Sequence, residues 1–406
     1  MTQHTVWQTF TSAPHRVFFF AGAIQGVLAM AWWLFDLTAR YTGLFTYTAW
    51  SIPAIWAHAF LMLYGFFPFF IFGFLMTAAP NWVNGRKISR SHYIPASMMM
   101  IAGVVAFYPA LTIGRWLAAV AVALHLIGWM IGGVALLGEV ANSSSDDKRH
   151  AYIVVGNLWV GWVGAGAYLL WLLSGSPSWL HFAVTGGIWL FLLPIFVSVS
   201  HRMIPFFSST VLPNYEPRRP YWPLFALLGG MVLHAMLDLS NAPRLLWLVD
   251  LPMMAVALYL SVLWKFDRSF KVRLLAMLHV GFAWLWIALA LYAAQSFFQF
   301  VGWGHILGLA PLHALTIGYF TSMVLAMVTR VTLGHSGRLL SADKTVWRLF
   351  LGFQFTVLFR ILGDLPFAYA TNLYFLAALI WLVCFAIWDI KYVPIYLQPR
   401  KDGKMG

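Results

Sequence analysis

The amino-acid sequence predicts an all-α polytopic membrane protein with about 12 transmembrane helices. Apolar residues occupy 62% of the 406 positions and charged residues only 9%, against roughly 25% charged residues in an average soluble domain. A soluble domain of this length could not bury so much apolar surface and still present a polar exterior. The composition therefore excludes a disordered chain, a fibrous protein and an ordinary cytosolic enzyme.

Twelve apolar segments approach the roughly 20 residues that a transmembrane helix needs. In chain order they are 17–37, 54–79, 93–112, 115–138, 150–173, 181–200, 222–240, 245–264, 272–295, 308–330, 346–364 and 369–390. Turn-forming and charged residues separate them, and no linker is long enough to divide two domains. We therefore expect a single integral membrane domain over residues 1–406.

The distribution of positive charge predicts the orientation of the chain. A net charge of +13 would suggest a nucleic-acid partner in a soluble protein, but here it indicates cytoplasmic loops that face an anionic leaflet. If the N-terminus is cytoplasmic, 21 of the 25 Lys and Arg residues face inward, and only Arg40, Arg115 and Arg244 face outward. Both termini are thus predicted to be cytoplasmic.

Three of the predicted spans run from outside to inside and open with a histidine, at His58, His181 and His313. The intervals between these histidines are 123 (181 − 58) and 132 (313 − 181) residues, or four spans each. We infer three four-helix repeats, although apolar helices also resemble one another by chance. The repeats would cover residues 1–140, 141–265 and 266–395. Such repeats would place the three histidines at one depth near the outer face, a geometry suited to a metal or a flat macrocycle.

The number of histidines predicts a haem or metal site. The chain has 13 histidines and a single cysteine, Cys384, so thiolate clusters and covalent haem attachment through two cysteines are excluded. Sites built from imidazole alone suit haem iron or copper. The candidate ligands are His58, His313, His279, His234 and His181. For each of them the alternative is a hydrogen bond to a neighbouring helix.

Depth along the spans separates these candidates. His279 lies in the inner half of its span, whereas His58 lies near the outer face, so the two are predicted to belong to different sites. From the inner half, His279 could meet His234 or bind a second metal. His234 also has Asp238 four residues further on, and a carboxylate at that spacing could fix the tautomer of a ligating imidazole.

Arg360 is an unusual cation because it lies one turn inside the outer end of its span. Asp364 follows four residues later, which is the spacing of an ion pair on one helix face. The alternative is that Arg360 binds a haem propionate, since guanidinium pairs with carboxylate through two parallel hydrogen bonds. The sequence leaves both interpretations open.

Short motifs along nearly the whole chain carry a resemblance to a known family. The most specific one runs from His313-Ala-Leu-Thr-Ile-Gly-Tyr to Gly334-His335-Ser-Gly-Arg338. Further matches are Pro14-His15-Arg16-Val-Phe-Phe, Pro80-Asn81-Trp82, Arg202-Met-Ile-Pro205-Phe-Phe and Leu278-His279-Val-Gly281 with Trp284. In these motifs the chain resembles the NnrS family of bacterial membrane proteins.

The resemblance implies a multi-pass protein of the bacterial inner membrane, found in denitrifiers and pathogens, that contains haem and copper. It also implies a role in resistance to nitric oxide and nitrosative stress, with nitric oxide as a small gaseous ligand. The expected cofactor is non-covalent haem b, with copper as a second candidate.

One motif departs from the pattern of this family. Many relatives carry His-x-His-Glu-Met at the start of the second span, whereas this chain reads His58-Ala-Phe-Leu-Met62. The missing second histidine and glutamate favour a plain axial role for His58. We expect His58 and His313 to be the axial ligands of one haem near the outer face, with Arg360 on a propionate.

Three functions from different classes follow. The first is a haem protein that binds or processes nitric oxide or iron-nitrosyl species; if it is an enzyme, it is a membrane haem oxidoreductase acting on nitric oxide. The second is a transporter of metal, haem or a small anion, which helices broken near mid-membrane would support; Pro68 and Pro194 permit such breaks. The third is an assembly factor for a respiratory complex. A homo-oligomer or a respiratory partner remains open.

Overall fold

The computed structural model describes residues 5–44, 46, 49–365 and 370–403. Within these ranges the chain forms seventeen α-helices, two π-helical segments and one 3-10 turn, without any strand. Lys404, one of the cations predicted to face inward, lies outside the described residues. The predicted all-α class is confirmed for the part of the chain that the structure describes.

The helices follow one another with short connections. In chain order the α-helices are α1 (Val6–Phe10), α2 (Pro14–Thr42), α3 (Ala54–Leu63), α4 (Phe67–Trp82), α5 (Arg90–Ile113), α6 (Arg115–Ala141), α7 (Arg149–Ser174), α8 (Pro177–Thr185), α9 (Leu193–Val211), α10 (Tyr221–Leu239), α11 (Trp247–Leu263), α12 (Phe266–Ser269), α13 (Arg273–Phe300), α14 (Ala310–His313), α15 (Ser322–His335), α16 (Lys344–Leu362) and α17 (Ala370–Tyr396). The π-helical segments are Gly186–Leu192 and Ala314–Thr321, and the 3-10 turn is Pro243–Leu245.

Eleven helices in the described part of the chain are long and apolar enough to cross a membrane. Three of them are composite: α3 with α4, α8 with the first π-helical segment and α9, and α14 with the second π-helical segment and α15. The predicted span 245–264 corresponds to α11, an apolar helix of 17 residues. The chain is therefore a multi-pass, all-α membrane protein.

The chain divides into two compact units. Unit 1 comprises Met1–Leu192, Val331–Leu339 and Asp389–Gly406, and unit 2 comprises Leu193–Arg330 and Leu340–Trp388. Within unit 1, α5 packs along α6. A Cβ atom at Gly103 would lie 2.6 Å from the carbonyl oxygen of Ala121, so the two backbones touch directly. Small residues permit such close approach between apolar helices.

Unit 2 is built around α13. This helix packs against α11 and against the second π-helical segment. The indole Nε1 of Trp284 on α13 donates to Oε1 of Gln354 on α16 at 2.8 Å, and Gln354 donates to the hydroxyl of Ser322 at 3.3 Å. Polar side chains thus pair with one another between the apolar helices of this unit, as burial requires.

The three composite spans are those predicted to open with a histidine, and they are also the most buried. The buried share of their most apolar stretch is 89% for Ala54–Trp82, 78% for Pro177–Val211 and 83% for Ala310–His335. No other spanning helix in the described ranges exceeds 72%. The repeat inferred from the histidines gives these three spans equivalent positions, and their burial agrees with it. The repeat stays a prediction.

The same three spans lose regular α geometry shortly after the histidine. Between α3 and α4, the amide of Gly65 donates to the carbonyl of Phe60 at 2.9 Å, a bond that spans five residues as in a π-helix. Proline has no amide hydrogen and its ring displaces the preceding turn, and Pro68 and Pro194 follow two of the three irregular segments. The prolines therefore explain the first two irregularities, and nothing comparable follows the third.

Candidate functional site

His58 lies on α3 against an aromatic and cationic group of side chains in unit 1. Its ring stacks on Trp33 of α2, with ring centroids 4.2 Å apart and planes inclined by 17°. The guanidinium of Arg40 lies 5.0 Å from the centroid of the same Trp33 ring. The stacking fixes the plane of the imidazole, which is the property that an axial ligand needs.

Asp36 completes this group on α2. Its carboxylate is buried, pairs with Arg40 four residues later and accepts a hydrogen bond from Nε1 of Trp50 at 2.7 Å. The negative charge is thus compensated where it is buried, as a carboxylate in this position requires. The sequence analysis did not single out Asp36 or Trp33, although the i, i+4 spacing of Asp36 and Arg40 was a signal.

His313 is the last residue of α14 in unit 2, immediately before the second π-helical segment. Nδ1 of its ring lies 3.0 Å from the carbonyl oxygen of Leu309. Because a carbonyl oxygen only accepts, Nδ1 carries the proton and the lone pair lies on Nε2. Metal-ligating histidines are commonly oriented in this way, by a bond from the second ring nitrogen to a backbone carbonyl.

Arg360 forms the predicted ion pair with Asp364, and this interpretation is confirmed. Nη1 of the arginine lies 2.5 Å from Oδ2 of the carboxylate. Tyr374 joins both groups, because its hydroxyl donates to Oδ1 of Asp364 at 2.8 Å and its ring lies 4.4 Å from the guanidinium carbon. Within unit 2, α14 packs against α16, so the helix of His313 meets the helix of Arg360.

His234 lies on α10 and meets a carboxylate from a different helix. Its Nδ1 lies 2.7 Å from Oδ1 of Asp250 on α11, and the side chains are 2% and 0% exposed. The ring of Tyr292 on α13 packs edge-on at 5.5 Å. The sequence analysis considered only Asp238, on the same helix. Asp250 was signalled by its position as a carboxylate within an apolar span.

His279 lies near the start of α13, where its Nε2 is 3.3 Å from the hydroxyl of Ser208 on α9. Tyr292, the residue of α13 that contacts His234, is 13 residues further along the same helix (292 − 279). At about 1.5 Å per residue this separation is about 20 Å. His279 and His234 therefore lie at different levels of unit 2, too far apart to share one metal ion.

His181 lies on α8 of unit 1, five residues before the first π-helical segment. Its neighbour Ala183 accepts a hydrogen bond from the hydroxyl of Tyr64 at 2.6 Å. Tyr64 is the residue at which α3 ends. This bond joins the irregular segment after α3 to α8, three residues before the first π-helical segment, within one unit.

A metal ion bound by several side chains needs those side chains close together. Across residues 5–44, 46, 49–365 and 370–403, no three His, Cys, Asp or Glu side chains come close enough together to hold a metal ion.

The structure also brings together two histidines of the quoted motifs. His15 and His335 belong to unit 1, and their ring centroids are 4.8 Å apart. The sequence motifs did not predict that these two histidines meet. The two motifs have one feature in common, an arginine shortly after the histidine, at Arg16 and Arg338.

A comparison with known protein families gives a match over nearly the whole chain. The family is described as NnrS protein, and the match covers residues 9–400. No curated protein matches the sequence. The family match includes every candidate ligand described above, together with all eleven candidate membrane-spanning helices. The chain belongs to the NnrS family.

Proposed function

We propose that the protein binds haem b in the bacterial inner membrane and that it binds or processes nitric oxide or iron-nitrosyl species, which protects the cell against nitrosative stress. The observation that carries this proposal is membership of the NnrS family over residues 9–400. The membrane location of the helices supports it, because an apolar gas partitions into an apolar interior.

The residues present suit an axial role toward haem iron. His313 has its Nδ1 held by the Leu309 carbonyl, which orients the ring and places its lone pair on Nε2. His58 has its ring plane fixed by Trp33. These two histidines are the proposed axial ligands, and Arg360 is the proposed partner of a propionate. Bound haem would supply an iron atom that coordinates nitric oxide.

Copper is the less supported of the two cofactors. Imidazole suits copper as well as iron, but the described residues hold no group of three ligating side chains. The proposal of copper therefore rests on the family resemblance. His279 and His234 remain proposed metal ligands at separate sites.

A transporter is the second candidate function, and one observation favours it. Three spans depart from α geometry, at residues 64–66, Gly186–Leu192 and Ala314–Thr321. Discontinuous helices near the bilayer midplane form the substrate sites of many transporters. Metal, haem or a small anion would be the cargo. Uptake into proteoliposomes that depends on the protein would support this function.

Extraction tests the proposed cofactor. The purified protein is treated with acidified acetone, and the pyridine haemochrome spectrum of the extract is recorded. We expect the haem to leave the polypeptide and to give the spectrum of haem b, because Cys384 is the chain's single cysteine. Haem that stays with the polypeptide, or a protein purified from haem-replete cells without haem, would contradict the proposal.

A further inference from the structure

A group of basic side chains surrounds the two stacked histidines of unit 1. His15 lies at the start of α2 and His335 at the end of α15, with ring centroids 4.8 Å apart. Both rings interact electrostatically with Arg16 and Arg400, and His335 also with Lys87. We call this group, together with Arg338, the basic cluster.

Arg16 is the most buried cation of the basic cluster. Its side chain is 3% exposed, and its Nη1 donates to the carbonyl oxygens of Tyr396 and Gln398, both at 2.9 Å. Its Nε is buried and has no hydrogen-bond partner among the described residues. A buried guanidinium N–H without an acceptor is costly, so this group calls for an acceptor from outside the chain.

Arg338 repeats the same arrangement beside it. Its Nη2 donates to Oε1 of Gln398 at 2.8 Å, whereas its Nη1 is buried without a partner in the described part of the chain. Burial lowers the pKa of Arg338. Arg16 and Arg338 therefore share Gln398, and each has an N–H group to spare.

The carboxylates nearby do not balance these charges. Arg400 donates two hydrogen bonds to the carboxylate of Asp402, at 2.9 and 2.6 Å. These bonds raise the pKa of Arg400. A second carboxylate, Asp389, is in electrostatic range of Tyr396. Arg16, Lys87, Arg338 and Arg400 thus outnumber these two carboxylates. Like charges that lie close together repel one another unless an anion lies between them.

Two backbone segments near the basic cluster are held together, the turn at Gly337 and the segment after α17. Gly337 has φ +66°, a left-handed conformation that glycine adopts without strain. A Cβ atom there would lie 2.7 Å from the carboxyl carbon of Asp402, so a side chain would displace the chain end. The amide of Lys401 donates to the carbonyl of Ser336 at 3.0 Å. The turn after His335 and the segment after α17 are fixed against each other.

We propose that the basic cluster binds an oxyanion of the phosphate type, presented by an anionic lipid headgroup or free in solution. Phosphate offers several oxygens to guanidinium N–H groups, which it pairs strongly. The start of α2 adds to the attraction through its dipole, because helix N-termini favour anions, while the amide of His15 already donates to the hydroxyl of Thr77 at 3.3 Å. The site lies at the ends of three spanning helices, on the side predicted to be cytoplasmic, where anionic lipids are concentrated.

Native mass spectrometry of the full-length protein tests this proposal without reference to haem. The protein is titrated with phosphatidylglycerol, phosphatidylcholine and inorganic phosphate. We expect saturable binding of phosphatidylglycerol, of inorganic phosphate or of both, and no specific binding of phosphatidylcholine. Selective binding of the lipid identifies a headgroup site, and equal binding of inorganic phosphate identifies a free-anion site. Absence of saturable binding of either anion would overturn the proposal.

Variants assign the binding to the basic cluster. Arg338→Gln should weaken anion binding by roughly tenfold or more, since it removes a charged hydrogen-bond donor. Arg16→Lys keeps the charge but loses the fork of N–H groups, and should weaken binding several-fold. Arg218→Gln is the matched control, because Arg218 is also predicted to be cytoplasmic but is exposed and paired with Glu216. Equal binding by Arg338→Gln and Arg218→Gln, both folded, would overturn the assignment.

Discussion

Two arginine–aspartate pairs near the predicted outer ends of helices have the same components, and the aspartate is the more buried partner in both, but the two arginines differ in exposure. In unit 1, Asp36 precedes Arg40 on α2; in unit 2, Arg360 precedes Asp364 on α16. Each pair contacts an aromatic ring, of Trp33 and of Tyr374 respectively. In each unit a histidine-led helix also packs nearby. The two regions therefore contain the same kinds of side chain, and the exposure of each arginine indicates which of them can reach a ligand.

The difference lies in how far each arginine is exposed. The Asp36 side chain is 0% exposed and the Arg40 side chain 30% exposed, whereas Asp364 is 6% and Arg360 16% exposed. In unit 1 the arginine lies toward solvent and neutralises a buried carboxylate, which also accepts from Trp50. In unit 2 the arginine is the more enclosed cation. Arg360 is thus better placed than Arg40 to meet the carboxylate of a bound cofactor away from water.

The largest expected effect comes from the histidines beside these pairs. His313→Ala and His58→Ala should each remove an axial bond and shift the Soret band. Haem retention should fall by at least roughly ten- to a hundredfold, because loss of a residue that only supports a metal ligand already has an effect of that size. The measurement is the haem-to-protein ratio and the absorption spectrum after purification. His305→Ala is the control, because this histidine is exposed in a loop. Unaltered spectra in both alanine variants would show that the histidines only form hydrogen bonds.

Replacing each arginine in turn by glutamine tests the comparison directly. Arg360→Gln should lower haem retention several-fold and leave the axial ligation, and so the Soret position, unchanged. Arg40→Gln, the matched control, should leave haem retention unchanged and lower the free energy of unfolding by about 1–3 kcal/mol, because the buried carboxylate of Asp36 loses its charged partner. The measurements are haem off-rates and thermal melting in detergent. Equal haem loss in the two variants would mean that Arg360 has no special role.

A smaller effect is expected at the buried pair of His234 and Asp250, which joins two helices rather than one. Asp250→Asn keeps the shape of the side chain but weakens the 2.7 Å bond to Nδ1 of His234. The free energy of unfolding should fall by about 1–3 kcal/mol, with haem content unchanged. Thermal melting measures the loss, and Glu216→Gln at an exposed pair is the control. Loss of haem in Asp250→Asn would place His234 at the haem instead.

The sequence predicted the parts of the molecule that depend on local composition. Apolar length gave the spans, and an i, i+4 spacing gave the pair of Arg360 and Asp364. Contacts between helices were missed, because spacing along one helix says nothing about its neighbours. Asp250 reaches His234 from α11, and His335 meets His15 across 320 residues of sequence (335 − 15). The π-helical segments were also missed, since only Pro68 and Pro194 hinted at broken hydrogen bonds.

The reduced-minus-oxidised optical spectrum of the purified protein, recorded before and after addition of nitric oxide, tests the central claim most directly. Axial imidazoles at His58 and His313 predict a b-type spectrum in the reduced form, and nitric oxide should shift its Soret band by displacing or weakening one axial bond. A protein that carries no haem, or a haem spectrum that nitric oxide leaves unchanged, would contradict the proposal that this membrane protein binds nitric oxide through haem.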